Sequence, residues 1–123
     1  MRSFFLFVSI LITFQCGAQS WYKLDNPKVD LEISELELEI AIWTEINRMM
    51  VGVVPDRSVF TYHYQIKDEN TVVIWGYCEV DESFESMDKS KQRLVVLDGG
   101  TCYFTAQYTV DLGSVKVVFN GVA

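Results

Sequence analysis

Residues 60–80 read FTYHYQIKDENTVVIWGYCEV, and this stretch decides the fold. Phe60, Tyr62, Tyr64 and Ile66 alternate with Thr61, His63, Gln65 and Lys67. Successive side chains of a strand point to opposite faces, so the first set lines one face and the second set the other. Asp68-Glu69-Asn70 reads as a hairpin turn. Beyond it the alternation resumes. Val72, Ile74, Cys78 and Val80 share an apolar side; Thr71, Val73, Trp75, Tyr77 and Glu79 share the other. A period of two on both sides of a turn predicts an antiparallel strand pair.

Toward the C-terminus the pattern continues. A polar loop runs from Asp81 to Lys91, and Leu94 to Leu97 reads as a short strand. It stops at Asp98-Gly99-Gly100, residues that tolerate positive φ in turns. Cys102, Phe104, Ala106, Tyr108 and Val110 then point inward, with Thr101, Tyr103, Thr105, Gln107 and Thr109 outward. Asp111 to Ser114 turns the chain, and Val115, Val117 and Phe119 complete the inner face.

Toward the N-terminus lies one helix. Residues 34–52 read SELELEIAIWTEINRMMVG. Ser34 and Glu37 have the spacing of a capping box, and Ile33 with Leu38 that of a hydrophobic staple. Leu36, Ile40, Trp43, Ile46 and Met50 recur at helical spacing, with Glu35, Glu39 and Glu45 opposite. Gly52 and Pro55 end the helix. Residues 19 to 30 read as an entry segment with a turn at Asn26-Pro27.

The first eighteen residues have a different character. Arg2 precedes a predominantly apolar run from Phe4 to Phe14 that holds only Ser9 and Thr13 as polar residues, and Cys16 and Ala18 supply a small-x-small pair. That order is a secretory signal peptide, 1–18, cut between Ala18 and Gln19. The run is shorter than the ~20 residues a spanning helix needs. A lipid-bearing Cys16 is the rival reading, and Gln15 before it does not match a lipobox. The mature chain, 19–123, is one domain, exported to the periplasm or the exterior. It carries nine basic against seventeen acidic residues, a balance of −8. Nucleic acid and anionic membrane surfaces call for basic patches, so neither is a partner. No cofactor or metal is implied.

One amphipathic helix followed by four or five strands must bury its stripe on one sheet face. The expectation is an α+β domain, a helix packed on a curved antiparallel sheet. In element order over residues 30 to 120 it resembles the cystatin-like and nuclear-transport-factor-like rolls. The inhibitory Gln-x-Val-x-Gly motif of cystatins is not matched by Gln107-Tyr108-Thr109-Val110. The end of the chain, from Asp98-Gly99-Gly100 through Cys102-Tyr103-Phe104 to Asn120-Gly121-Val122-Ala123, is similar to small exported proteins of Bacteroidota.

The outward face draws the functional reading. Trp75, Tyr77 and Tyr103, with Val73 and Val118, alternate away from the helix among His63, Gln65, Thr105 and Gln107. A solvent-facing sheet carries mainly polar residues, and aromatics are favoured at contact surfaces. The expectation is therefore a binding module, uncharacterised as to partner, whose outer face contacts a protein, a glycan or a second copy. Cross-strand aromatic pairing, or cover by Trp21 and Tyr22, explains the same residues without a partner. The alternative function is a small ligand-binding or enzymatic roll with a pocket between helix and sheet. Acid–base catalysis needs a titratable group there, and the inner positions are almost wholly apolar, so binding is favoured over catalysis. His63 reads as a solvated strand histidine, and Glu79, Asp81, Glu82, Glu85 and Asp88 as a solvated acidic loop.

Cys78 and Cys102 form the candidate disulfide. Both alternate onto the inner face. If the Leu94–Leu97 strand lay between theirs, the cysteines would stand about 9.6 Å apart, too far for a bond. If their strands are direct neighbours, the bridge closes and stabilises by about 3 kcal/mol. For the export signal, mass spectrometry of exported protein is expected to give an N-terminus at Gln19; retention of Met1 or an acylated Cys16 would refute the assignment.

Overall fold

The computed structural model describes residues 21–49, 52–96 and 99–119. The signal-peptide assignment, with Cys16 and the Ala18–Gln19 bond, lies outside them. No helix among the described residues is long and apolar enough to cross a membrane.

The hairpin predicted from residues 60–80 is present: β2 (Thr61–Asp68) pairs antiparallel with β3 (Thr71–Tyr77). β4 (Tyr103–Thr109) pairs antiparallel with β3, and β5 (Ser114–Phe119) with β4. One strand escaped the sequence reading. β1 (Trp21–Leu24) pairs with β2 in parallel, Trp21 opposite Tyr62. The sheet is therefore mixed, in the order β1-β2-β3-β4-β5 and not closed, rather than wholly antiparallel. The connection from β1 to β2 passes through helix α1 (Glu35–Met49), as a parallel pair requires a crossover.

Ser34 caps α1, its Oγ accepting from the Glu37 N–H at 3.3 Å, and Ile33 packs against the core that contains Leu38. The buried stripe differs from the expected one. Leu38, Ile42, Trp43 and Ile46 are buried, whereas Leu36 and Ile40 are 64% and 53% exposed. The helix is apolar on more than one side, so spacing alone does not select the face that meets the sheet. Glu39, expected outside, is buried because Arg57 reaches it at 2.6 Å.

The inner sheet face meets this stripe. Phe60, Tyr62, Tyr64, Ile66, Val72, Ile74, Phe104, Ala106, Tyr108, Val117 and Phe119 are buried there, all on the predicted side. Trp43 donates its indole N–H to the Tyr62 hydroxyl at 2.8 Å, and burial pushes that phenol up to about 12. Tyr64 donates to Glu35 at 3.0 Å. Gly76 lies directly opposite Phe104, whose ring occupies the space a Cβ would take, 2.3 Å from it.

Residues 94–96 form no strand, contrary to expectation. β3 and β4 are thus direct neighbours, and Cys78 and Cys102 are bonded with Cα atoms 5.0 Å apart. The bridge continues the ladder past its end, beside the Cys78 N–H donated to the Cys102 carbonyl at 2.9 Å. Replacing both cysteines with serine is expected to lower stability by about 3 kcal/mol, read as a fall in the denaturant midpoint. Thiol titration of the unreduced, unfolded protein should find neither cysteine free.

Candidate functional site

The outer face follows from the same alternation, and its fate differs between its halves. On β2 and β3 it presents His63, Trp75 and Tyr77, and on the adjoining end of β4 it presents Tyr103. These are not solvent-exposed: Trp75 is 8% exposed, Tyr103 7%, Tyr77 1% and His63 0%. Residues 81–96 fold back over them as a strap. Its one regular element is the short helix α2 (Glu82–Ser86), capped by Asp81 accepting from the Ser83 N–H. Phe84 sits edge-on to Tyr22, Tyr77 and His63. Leu94 and Val96 pack on the same cluster, as do Tyr22 and Leu24 from β1. Arg93 lies over the Trp75 ring at 4.2 Å and Lys89 over Phe84 at 4.8 Å, each a cation–π contact. Tyr77 and Tyr103 stack with centroids 6.0 Å apart.

The expected contact surface is therefore corrected at four of its six residues. Trp75, Tyr77 and Tyr103 belong to a second apolar core with Leu24 and Phe84, and His63 is buried beside it. Covering them removes a large aromatic area from water, which stabilises the fold. Gln65 is half-buried and donates to the Asp25 carbonyl at 3.3 Å; Gln107 is exposed. Asp81 and Asp88 of the acidic loop are engaged locally, accepting from Ser83 and Ser90. Among the described residues no cluster of three or more metal-ligating side chains occurs.

His63 is a latch for the strap rather than a solvated side chain. Its Nε2 lies 2.7 Å from the Lys89 carbonyl and its Nδ1 2.7 Å from the Tyr77 hydroxyl. A carbonyl only accepts, so Nε2 carries a proton, and in the neutral ring Nδ1 accepts from the Tyr77 hydroxyl. Burial, together with Lys89 and Arg93 nearby, holds its pKa below the ordinary histidine value, although the Lys89 carbonyl pulls the other way. Burial raises the Tyr77 phenol as well.

The other half of the outer face is open. Gln107, Ser114, Lys116 and Val118 are exposed there, on β4 and β5. β5 ends the sheet and has β4 as its sole strand neighbour among the described residues. On the inner side of that edge α1 and the β4–β5 hairpin border a cleft of about 450 Å³, lined by Glu37, Ile40, Ala41, Thr44, Glu45, Tyr108 and residues 113–115. Gly113 makes the hairpin turn at φ 62°, a left-handed conformation that favours glycine. Glu45 pairs with Arg48 at 2.6 Å, which lowers its pKa. Tyr108 is raised by burial and by the nearby Glu37 charge.

The strap was not anticipated from the sequence, and a pocket between helix and sheet was expected only as the alternative, without its lining residues. The isolated Phe84 and Met87 within an otherwise polar loop were the available sign of the first. For the second it was the excess of apolar residues in α1, Leu36 and Ile40 beyond one stripe. The chain matches no known protein family, no characterised protein and no solved structure.

The latch has a pH signature. A histidine whose folded pKa is depressed contributes stability above its unfolded value of 6.5 and loses it as pH falls below that value. His63→Ala is expected to cost about 3 kcal/mol at neutral pH, two buried hydrogen bonds and a cavity being lost. The loss should shrink on acidification, as thermal melts of both proteins between pH 7 and 4 would show; a pH-independent difference would exclude the neutral latch.

Proposed function

We propose that this chain is an exported interaction module that binds through its sheet, on the half of the outer face that the strap leaves open. One observation carries this reading. Of the eight large apolar side chains exposed among the described residues, Val118 lies on this open half, and Leu36, Ile40 and Leu112 lie next to it on α1 and in the β4–β5 turn; the other four are spread over residues 53–95. Scattered apolar residues need no explanation, but a concentration beside polar contacts favours an interface. Gln107 and Lys116, cross-strand partners on the open half, supply the polar part of such a surface. The disulfide is in keeping with an oxidising compartment outside the cytosol. We read the architecture as similar to a cystatin-like roll, with one helix laid on a five-stranded sheet.

A second reading, a small-molecule site between helix and sheet, has the cleft beside Tyr108 and Glu37 in its favour. The two separate by mutation. Val118 and Lys116 face away from that cleft, so V118E with K116E should abolish capture of a partner from the native envelope or medium without changing the melting temperature. Undiminished capture would overturn the sheet-face reading. Trp75→Thr, by contrast, is expected to destabilise by about 3 kcal/mol, because it hollows the strapped core.

A further inference from the structure

We infer that the partner is an extended, aliphatic-rich and net-basic polypeptide segment, which adds to the free edge of β5 as a sixth strand. The inference rests on the interaction-module reading and names the chemistry of its partner. An edge strand presents a row of backbone N–H and C=O groups that pair with no neighbouring strand, and many proteins satisfy such a row with an incoming strand. β5 is the longer of the two sheet edges, six residues against four in β1. It carries one charged side chain, Lys116, and Lys116 lies on the outer face.

The cleft supplies side-chain recognition. A sixth strand would run about 4.8 Å from β5 and send alternate side chains toward α1. There they meet Ile40, Ala41 and Val115, with Leu36 one helical turn before Ile40 on the same helix face. Aliphatic side chains at those positions would cover Leu36 and Ile40, the two apolar residues of α1 that the sheet leaves exposed.

Charge selects the partner's sign. α1 carries Glu35, Glu37, Glu39 and Glu45 against a single Arg48. Arg57 neutralises Glu39 and Arg48 neutralises Glu45, while Glu37 lines the cleft. The mature chain bears −8 in all. A second copy would bring the same charge to the same edge, where like charges oppose pairing. A basic segment gains what a second copy would lose.

The test uses two synthetic nine-residue peptides, one alternating valine with lysine and the other valine with glutamate, titrated into the mature protein at low salt. The lysine peptide is expected to bind at least about tenfold more tightly than the glutamate peptide, and to protect the Ser114–Phe119 amides from hydrogen exchange. Ile40→Lys and Glu37→Lys replace exposed side chains, so they should fold. Each is expected to weaken the lysine peptide at least about threefold. Equal affinity for both peptides, or binding without protection of β5, overturns the inference. So does a concentration-dependent dimer that Ile40→Lys dissolves, since the occupant is then a second copy. If neither peptide binds while the native partner is still captured through Val118 and Lys116, the inference falls and the module reading stands.

Discussion

Both faces of β3 are apolar, and the rest of the structure depends on that constraint. Val72, Ile74 and Gly76 face α1, while Val73, Trp75 and Tyr77 face the other way. An antiparallel sheet commonly leaves one face to water; here neither face of the central strand tolerates it. α1 covers the inner face with Leu38, Ile42, Trp43 and Ile46. The strap 81–96 covers the outer one with Phe84, Leu94 and Val96. A domain this small gains from having two clusters, because a single core of its size supplies little net stability.

The two covers are held by different physics. α1 is a regular element with its cap and a continuous apolar stripe, so burial does most of the work. The strap has five residues of helix and is held by specific contacts. These are the His63 bond to the Lys89 carbonyl, the Asp25 N–H donated to the Ser90 carbonyl at 2.7 Å, and the cations of Lys89 and Arg93 over aromatic rings. The disulfide closes the loop that contains the strap, joining its two ends where β3 leaves the sheet and β4 enters it. Constraining that loop limits the entropy the strap loses on docking.

Covering stops at β4. The strap reaches Tyr103 but leaves Gln107 and the outer side of β5 in solvent, and the contact of α1 with the sheet leaves Ile40 and Leu36 exposed. The result is an asymmetric molecule. Its β1 side is sealed by Trp21 stacked on Tyr62 at 4.2 Å and by Tyr22 against Phe84. Its β5 side keeps a strand edge, a cleft and exposed aliphatic side chains together.

The sequence by itself determined the long helix, the strands β2 to β5 and most of the facing, but it missed β1 and the short helix of the strap and read a strand at 94–97 that residues 94–96 do not form. Period-two alternation is local, so it placed Phe60, Tyr62, Tyr64, Ile66, Phe104, Ala106, Tyr108, Val117 and Phe119 on the inner face without knowledge of any partner strand. Ser34 marked the helix start, and the parity of Cys78 and Cys102 put both sulfurs on one side. What alternation cannot express is which strands are neighbours and what lies over a face. Those depend on contacts between residues far apart in the chain. The parallel pairing of β1, the adjacency of β3 and β4 that brings the cysteines to 5.0 Å, and the burial of His63 under Lys89 were therefore decided in three dimensions. So was the role of the outer aromatics. Trp75, Tyr77 and Tyr103 do point away from the helix, as the sequence indicates, but an irregular strap with no periodic signature turns that side into a second core. The free edge of β5 is likewise a property of strand order, and strand order exists only once the sheet has formed.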